Sequence, residues 1–384
     1  MIHSLPMKTK TAPSKNKATT SGTAAAPGPE IPAITIGIDM GDTKHAICVL
    51  DAAGETIDER KIANSRDALV RLSKKYPNAR MVIEVGSHSP WTSRLLRSLG
   101  HEVFVANPRK FRAIYANDRK CDELDAQMLA KIGRFDPSLL HPIEHQSEEA
   151  QRDLLSVKLR DSLVRQRVDA ISAVRFTIKS LGHRLPSPNT NCFAKAARNT
   201  LEALAQPEIL ETVAPSLDVI DLLTVKIKEF NRKIEKLCTE KYPATEVLRQ
   251  IPGVGPITAL TFILVIGDPQ RFAKSRSVGA YFGLVPKRDQ SGDVDKKLRI
   301  SKAGNAYMRK LLVGASQYIL GPFGPGSDMR SHGLELAERG GGGAKKKAVV
   351  ATARKLSVLM HLLWTSGADY RPFHKPGLEQ KEAA

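Results

Sequence analysis

Asp39, Glu84, Asp122 and Asp125 are the residues of this chain whose type and spacing suit chemistry on a phosphodiester. Such cleavage, when assisted by two metals, needs several carboxylates converging so that two hard cations about 3.5–4 Å apart can flank the scissile phosphate. Asp39 closes the apolar run ITIGID and Glu84 closes ARMVIE, while Asp122 and Asp125 stand three apart, on one face of a helix. Asp118 shares that face four residues earlier, but its expected place is the N-cap region of the helix, and Glu123 points elsewhere.

The elements that must position these acids follow from the apolar pattern. From Ile34 the segments ITIGIDMG, HAICVLDAAGE and TIDERKIA predict a three-stranded meander. A helix is expected at about 66–76, a fourth strand at ARMVIEVG, a helix at SPWTSRLLRSLG, a fifth strand at HEVFVANP and a helix over about 118–132. That order is the one of an α/β ribonuclease H-like domain, placed at 34–145. Its carboxylates come from the first strand, the end of the fourth and a late helix, and the candidate acids occupy those places. The segment Asp39-Met40-Gly41-Asp42-Thr43 also fits the D-x-G-x-T phosphate loop of sugar kinases and actin-like ATPases, which share the topology. No second glycine-rich phosphate or adenosine signature accompanies it.

Residues 146–241 change character. Val164, Val168, Ile171, Val174, Ile178 and Leu181 recur at three and four, as do Ile220, Leu223, Ile227, Phe230, Ile234 and Leu237. These are coiled-coil-like seams on two long helices, compatible with an intramolecular hairpin or with a dimer or spacer. The region 245–370 is expected to be a mainly α domain. It opens on IPGVGP, whose Gly253 and Gly255 suit the turn of a helix-hairpin-helix element, with backbone N–H groups able to hold a DNA phosphate; a plain tight turn is the alternative. Between 270 and 310 there are eleven Lys or Arg against three Asp, interleaved with Phe272, Tyr281, Phe282 and Tyr307. Lys287, Arg288, Lys296, Lys297, Arg299 and Lys302 are the expected phosphate contacts there, with binding that weakens steeply in salt.

The formal charge of +19 over 384 residues, with a pI near 9.8, favours a nucleic-acid partner. A membrane partner is the poorer reading, since no apolar run reaches the roughly 18–20 residues of a span and no signal peptide is legible. A cytoplasmic protein, at the nucleoid when acting, is therefore expected. Cys48, Cys121, Cys192 and Cys238 lack zinc-site or disulfide spacing and read as reduced thiols. Residues 1–33 hold almost no large apolar side chains and are expected to be a disordered basic tail, with a flexible tail at 371–384. The first tail carries a net +3, so +16 belongs to the rest.

The segments IGIDMGDTKHAICVLD, MVIEVGSHSPW, FVANPRKFRAI, RKCDELDAQMLAKI, LRQIPGVGPITA, YFGLVPKRDQSG, RISKAGNAYMRKLLV and KKKAVVATARKL, in this order, resemble the DEDD transposases of bacterial insertion sequences, the insertion-sequence-110 family. The resemblance implies an RNA-guided recombinase with a RuvC-like N-terminal domain. It maps metal-binding carboxylates onto Asp39, Glu84, Asp122 and Asp125, loaded with Mg²⁺ or Mn²⁺, and a nucleophilic serine onto Ser291 in PKRDQSG. The acidic stretch Gly292-Asp293-Val294-Asp295 departs from the glycine and basic residues common there in the family. The implied partners are donor and target DNA, a structured non-coding guide RNA, and further copies of the chain in a dimer or tetramer. The implied active site combines the acids and Ser291 from different domains, between protomers if need be. Three other readings stay open: a metal-only endonuclease of the Holliday-junction-resolvase type without serine chemistry, an actin-like phosphotransferase, and a non-catalytic nucleic-acid-binding protein.

Overall fold

The computed structural model describes residues 32–109, 121–186, 189–291 and 294–373, without the side chains of 291–297. Nearly all of the tail expected at 1–33, the Asp118 cap and most of the tail expected at 371–384 lie outside these residues. The chain divides into two compact units, residues 1–144 and 145–384. Three folded regions were expected. The helical region and the C-terminal region both lie in the second unit.

The first unit is built on β1 (Thr35–Met40), β2 (Lys44–Leu50), β3 (Thr56–Ala63), β4 (Arg80–Glu84) and β5 (Glu102–Ala106), with α1 (Arg66–Lys75), α2 (Ser89–Ser98) and α3 (Asp122–Phe135). The sheet order is β3-β2-β1-β4-β5. β1 pairs antiparallel with β2 and parallel with β4, β3 is antiparallel to β2, and β5 is parallel to β4. This mixed sheet is compatible with the ribonuclease H-like expectation.

The two faces of the sheet differ in the size of their side chains. Ile36, Ile38, Ile47, Val49, Met81, Ile83 and Val105 bury one face against Leu69 and Leu72 of α1 and Leu95 and Leu96 of α2. On the other face Ala46, Cys48 and Leu50 meet Ala126 and Ala130 of α3, and Val82 meets Leu129. Gly37 marks the closest approach, because a Cβ built there would lie 2.0 Å from the Ala126 carbonyl oxygen and 2.5 Å from the Ala130 nitrogen. At the far end of α3, Gly133 stands against Val82, where a Cβ would meet Val82 Cγ2 at 2.2 Å. Small residues at both contacts lay the helix directly on β1 and β4.

The second unit begins with α4 (Glu148–Ser180), α5 (Phe193–Ala203) and α6 (Pro207–Glu240). The two long helices pack against each other as an antiparallel pair: Ile171, Val174 and Ile178 meet Val213, Leu217 and Ile220, and Val157 meets Ile234 and Cys238. α5 fills the first of these contacts with Phe193, Ala194, Ala197 and Leu201. The seam on α4 differs from the expected one. Val168 is 47 % and Leu181 56 % exposed, while Arg167 is 6 % exposed. Arg167 lies three residues from Val164 and four from Ile171, so it fits the helical period as well as Val168 does. Its guanidinium is received by Thr224 Oγ1 at 3.1 Å, Asn191 Oδ1 at 2.9 Å and Thr190 Oγ1 at 3.2 Å, acceptors that hydrophobic patterning does not reveal.

The rest of this unit comprises α7 (Thr245–Arg249), α8 (Pro256–Ile266), α9 (Ser277–Tyr281), the ribbon β6 (Pro286–Ser291) and β7 (Val294–Ile300), α10 (Ala306–Leu320), α11 (Asp328–Glu338) and α12 (Ala344–Ser366). Its core joins Phe262, Phe282, Met308, Leu312, Leu356 and Met360, with the Phe262 and Phe282 rings 5.7 Å apart. Val157, Ile234 and Cys238 of the helical pair share a second core with Leu260 and Leu264 of α8, which explains why the two regions are one unit. No helix among the described residues is long and apolar enough to cross a membrane.

At one end of the helical pair, Asp153 Oδ2 accepts from Tyr242 Oη at 2.7 Å and from Lys241 Nζ. Burial alone would raise the Asp153 pKa, but these two donors outweigh it and hold the carboxyl below its usual value. Burial and the bond to Asp153 push the Tyr242 phenol up to about 12.

Two tests follow. Gly37→Ala is expected to cost about 3 kcal/mol or more in urea unfolding, because backbone on both sides leaves the methyl no room. Gly86→Ala, in open space, is expected to cost under about 1 kcal/mol. Because the folded-state pKa of Asp153 is lowered, its contribution to stability is present above the unfolded carboxylate value of about 3.9 and is lost as pH falls through the folded value. The stability gap between the unaltered chain and Asp153→Asn should therefore be full at neutral pH and close on acidification; a gap constant with pH would contradict this.

Candidate metal centre and nucleic-acid surface

The acids are placed by strand alternation and by the seating of α3. Gly37 faces α3, and Asp39, two residues on, shares that face. Val82 faces α3 through Gly133, so Glu84 shares the face as well. Ile38 pairs with Ile83 across the parallel strands, which puts Asp39 and Glu84 level at the neighbouring C-terminal ends of β1 and β4. Asp125 precedes Ala126, the residue whose carbonyl oxygen lies over Gly37, and is 7 % exposed. Asp39 and Glu84 are half-buried.

Asp122 has different surroundings. It is the first residue of α3, exposed, and 3.7 Å from Lys61 Nζ. Lys61 also holds Glu123 Oε1 at 2.9 Å, and that hydrogen bond keeps the Glu123 carboxyl below and the Lys61 ammonium above their usual pKa values. Lys61 stands opposite Ala46 on β2, and Ala46 stands opposite Asp39 on β1. The start of α3 thus sits at the level of Asp39, and all four acids lie around one end of the sheet. Spacing had placed Asp122 and Asp125 on one helical face; the structure gives them unequal burial, with Asp125 toward the sheet and Asp122 toward solvent and Lys61.

Lys61 was not singled out from sequence. Only the β2–β3 register shows that it belongs in the row with Asp39. The links between His88 Nε2 and Asp42 Oδ1 at 3.3 Å, and between Trp91 Nε1–H and His88 Nδ1 at 3.4 Å, were also unforeseen. They tie the loop after β1 to the start of α2.

The oxygen donors suit a hard divalent cation in kind. Among the described residues no group of three or more His, Cys, Asp or Glu is arranged to hold a metal ion. The fit is therefore one of donor chemistry and placement on a shared face, with Asp122 engaged by Lys61 rather than turned to the other acids.

In the second unit, Gly253 has φ +86°, and a Cβ there would meet the Ala315 carbonyl oxygen and Tyr318 Cδ1, both at 3.0 Å. The first glycine of IPGVGP is required by its turn and by its contact with α10. Gly255 precedes α8 with open space about it. Lys287, Arg288, Arg299 and Lys302 are exposed on the ribbon and its base; the side chains of Lys296 and Lys297 lie outside the described set. Ser291 is the last residue of β6, paired with Val294.

Residues 36–181 match a transposase model of the DEDD, IS110 type, and residues 245–324 match the model described as Transposase IS116/IS110/IS902 family. A putative transposase, y4pF/y4sB, of Sinorhizobium fredii is 27 % identical over 352 residues, covering 88 % of this chain and 86 % of the relative. The transposase for insertion sequence element IS1111A of Coxiella burnetii is 27 % identical over 350 residues, covering 88 % and 91 %. That for IS1328 of Yersinia enterocolitica is 27 % identical over 285 residues, covering 74 % and 83 %. With the two matched stretches together spanning more than half of its 384 residues, the chain belongs to the IS116/IS110/IS902 family of transposases.

Proposed function

We propose that this transposase cuts and rejoins DNA with two sets of groups, the acids of its first unit and Ser291 of its second. The observation that carries the reading is the gathering of Asp39, Glu84 and Asp125 at one end of the sheet, on the face covered by α3. Asp39, Glu84, Asp122 and Asp125 would hold Mg²⁺, or Mn²⁺ in its place. A divalent cation bound there supplies positive charge to a phosphate under attack. For Asp122 to join the set, its contact with Lys61 must give way, and Lys61 would remain paired with Glu123.

Ser291 is the proposed nucleophile. Its Oγ forms a bond to phosphorus as the bond from phosphorus to the leaving deoxyribose oxygen breaks. The serine proton goes to solvent or a nearby base, and the leaving oxygen gains one. One phosphodiester is exchanged for another, so rejoining runs the same step backwards without an outside energy source. Exposed Lys287, Arg288, Arg299 and Lys302, together with Lys296, Lys297 and the Gly253–Gly255 turn, would hold backbone phosphates. A structured non-coding RNA that pairs with donor and target DNA, and assembly as a dimer or tetramer, belong to the same reading on the strength of the family resemblance. In that arrangement base pairing chooses the sequence, and the protein supplies charge and chemistry.

The test is recombination with the flanking RNA of the element, donor and target DNA and Mg²⁺. Asp39→Asn and Ser291→Ala should each lower product by at least about a thousand-fold. Only chains that retain Ser291 should leave a covalent protein–DNA adduct on denaturing gels. Normal recombination by Ser291→Ala would leave a metal-only endonuclease as the better account.

A further inference from the structure

The last long helix, α12, carries cations and no acid. Over Ala344–Ser366 it has five Lys or Arg and no Asp or Glu. Ala348, Thr352, Ala353, Leu356, Met360 and Leu363 bury its inner side. Lys347, Arg354 and Lys355 recur at seven and eight residues, which puts them on one outer side, and all three are exposed. α11 packs on α12 at Gly333, where a Cβ would meet Thr352 Oγ1 at 2.6 Å, on the side away from Lys347 and Arg354. The acids Glu335 and Glu338 are carried on that neighbouring helix.

A second element extends the row. His361 Nε2 lies 2.9 Å from the Pro269 carbonyl oxygen and its Nδ1 3.0 Å from Ser275 Oγ, which pins the segment 269–275 to α12. α9 follows, and Gly279 lets the stem of Arg354 lie across it: a Cβ there would stand 2.7 Å from Arg354 Cγ. Lys274 and Arg276, at the entrance to α9, are exposed as well. Between Gly267 and Val285 the one acid is Asp268, whose Oδ1 accepts from the Gln270 backbone N–H at 2.8 Å.

Other cations of this unit have acidic partners: Arg198 has Asp218 and Asp221, Arg249 has Glu235, and Lys310 has Asp161. Lys274, Arg276, Lys347, Arg354 and Lys355 have no ion pair among the described residues. Like charges gathered in this way oppose compaction, and a bound polyanion offsets them. The aromatic rings nearby are turned inward. Phe272 and Tyr281 pack edge to face at 5.3 Å with the Arg271 guanidinium over both, and Phe272 meets His361 at 5.6 Å. Single-stranded RNA is held by bases stacked on exposed rings, whereas long charged side chains alone suit the outside of a duplex.

We infer that the ridge formed by α12 and the entrance to α9 seats the phosphate backbone of duplex DNA, by charge and without regard to sequence. The inference rests on DNA as the substrate and on neither the metal site nor Ser291. Lys347 and Lys355 are about 12 Å apart along the helix, and packed helices lie 8–10 Å apart. A 12 Å length of duplex carries about seven phosphates over its two strands, of the same order as the five cations.

The test measures binding of the full chain to a fluorescent random-sequence DNA duplex over a range of salt, without divalent metal. The variant Lys274→Gln/Arg276→Gln/Lys347→Gln/Arg354→Gln/Lys355→Gln keeps the Arg354 stem over Gly279 as far as Cγ. It should bind at least about ten-fold more weakly at 0.1 M salt, and the slope of log K against log salt should become shallower by about 3 to 4.5. Two controls separate this from a general loss of charge or of fold. Replacing five exposed lysines elsewhere, Lys158, Lys195, Lys228, Lys233 and Lys236, by Gln should change the slope by less than about one. Lys274→Arg/Lys347→Arg/Lys355→Arg should bind as the parent does, and all three variants should melt at the parent temperature. A ridge variant that stays folded yet shifts the slope no more than the lysine control would overturn the inference, as would a loss confined to an RNA duplex of the same length. Asp39→Asn should bind the duplex as the parent does, so failure of the metal chemistry would leave the ridge intact.

Discussion

The candidate site depends on one close contact, the backbone of α3 lying on β1 at Gly37. A helix normally stands off a sheet by the thickness of two layers of side chains. Here Gly37, Ala46 and Cys48 on the sheet and Ala126, Ala130 and Gly133 on the helix remove most of that thickness. The contact exchanges apolar bulk for proximity, and the larger core of the unit is kept on the opposite face, under α1 and α2. A carboxylate just beyond Gly37 on the strand and another just before Ala126 on the helix are then carried on neighbouring backbone.

Gathering like charges is costly unless something offsets them. The chain as a whole carries a net charge of +19. Lys61 lies beside Asp122 and Glu123 at the start of α3. A bound divalent cation and a nucleic-acid backbone would complete the balance from opposite sides, the cation for the acids and the phosphates for the surrounding lysines and arginines.

The strands, α1, α2 and the placement of the acids were legible because each rests on a local signal: alternation, a turn, or an acid ending an apolar run. The difference between Asp122 and Asp125 was not, since helical spacing gives the angle between two side chains and not which of them the sheet covers. Arg167 shows a limit of another kind. Hydrophobic patterning selected Val168, whereas the buried position went to the arginine because Thr190, Asn191 and Thr224, remote in sequence, supply its acceptors. Lys61 depends on strand register, which no single segment encodes. The ribbon was visible in sequence only as basic composition, and its anchored base comes from Gly283, Gly304 and Arg309 acting together.

The central claim is that the face shared by β1, β4 and α3 is a divalent-metal site. Calorimetric titration of Mn²⁺ into the full chain without nucleic acid tests it most directly, because no later step of recombination enters the measurement. The account predicts saturable binding that Asp39→Asn and Asp125→Asn abolish and that Asp122→Asn weakens less, with Gly86→Ala unchanged. Binding that survives unaltered in Asp39→Asn and Asp125→Asn would contradict it.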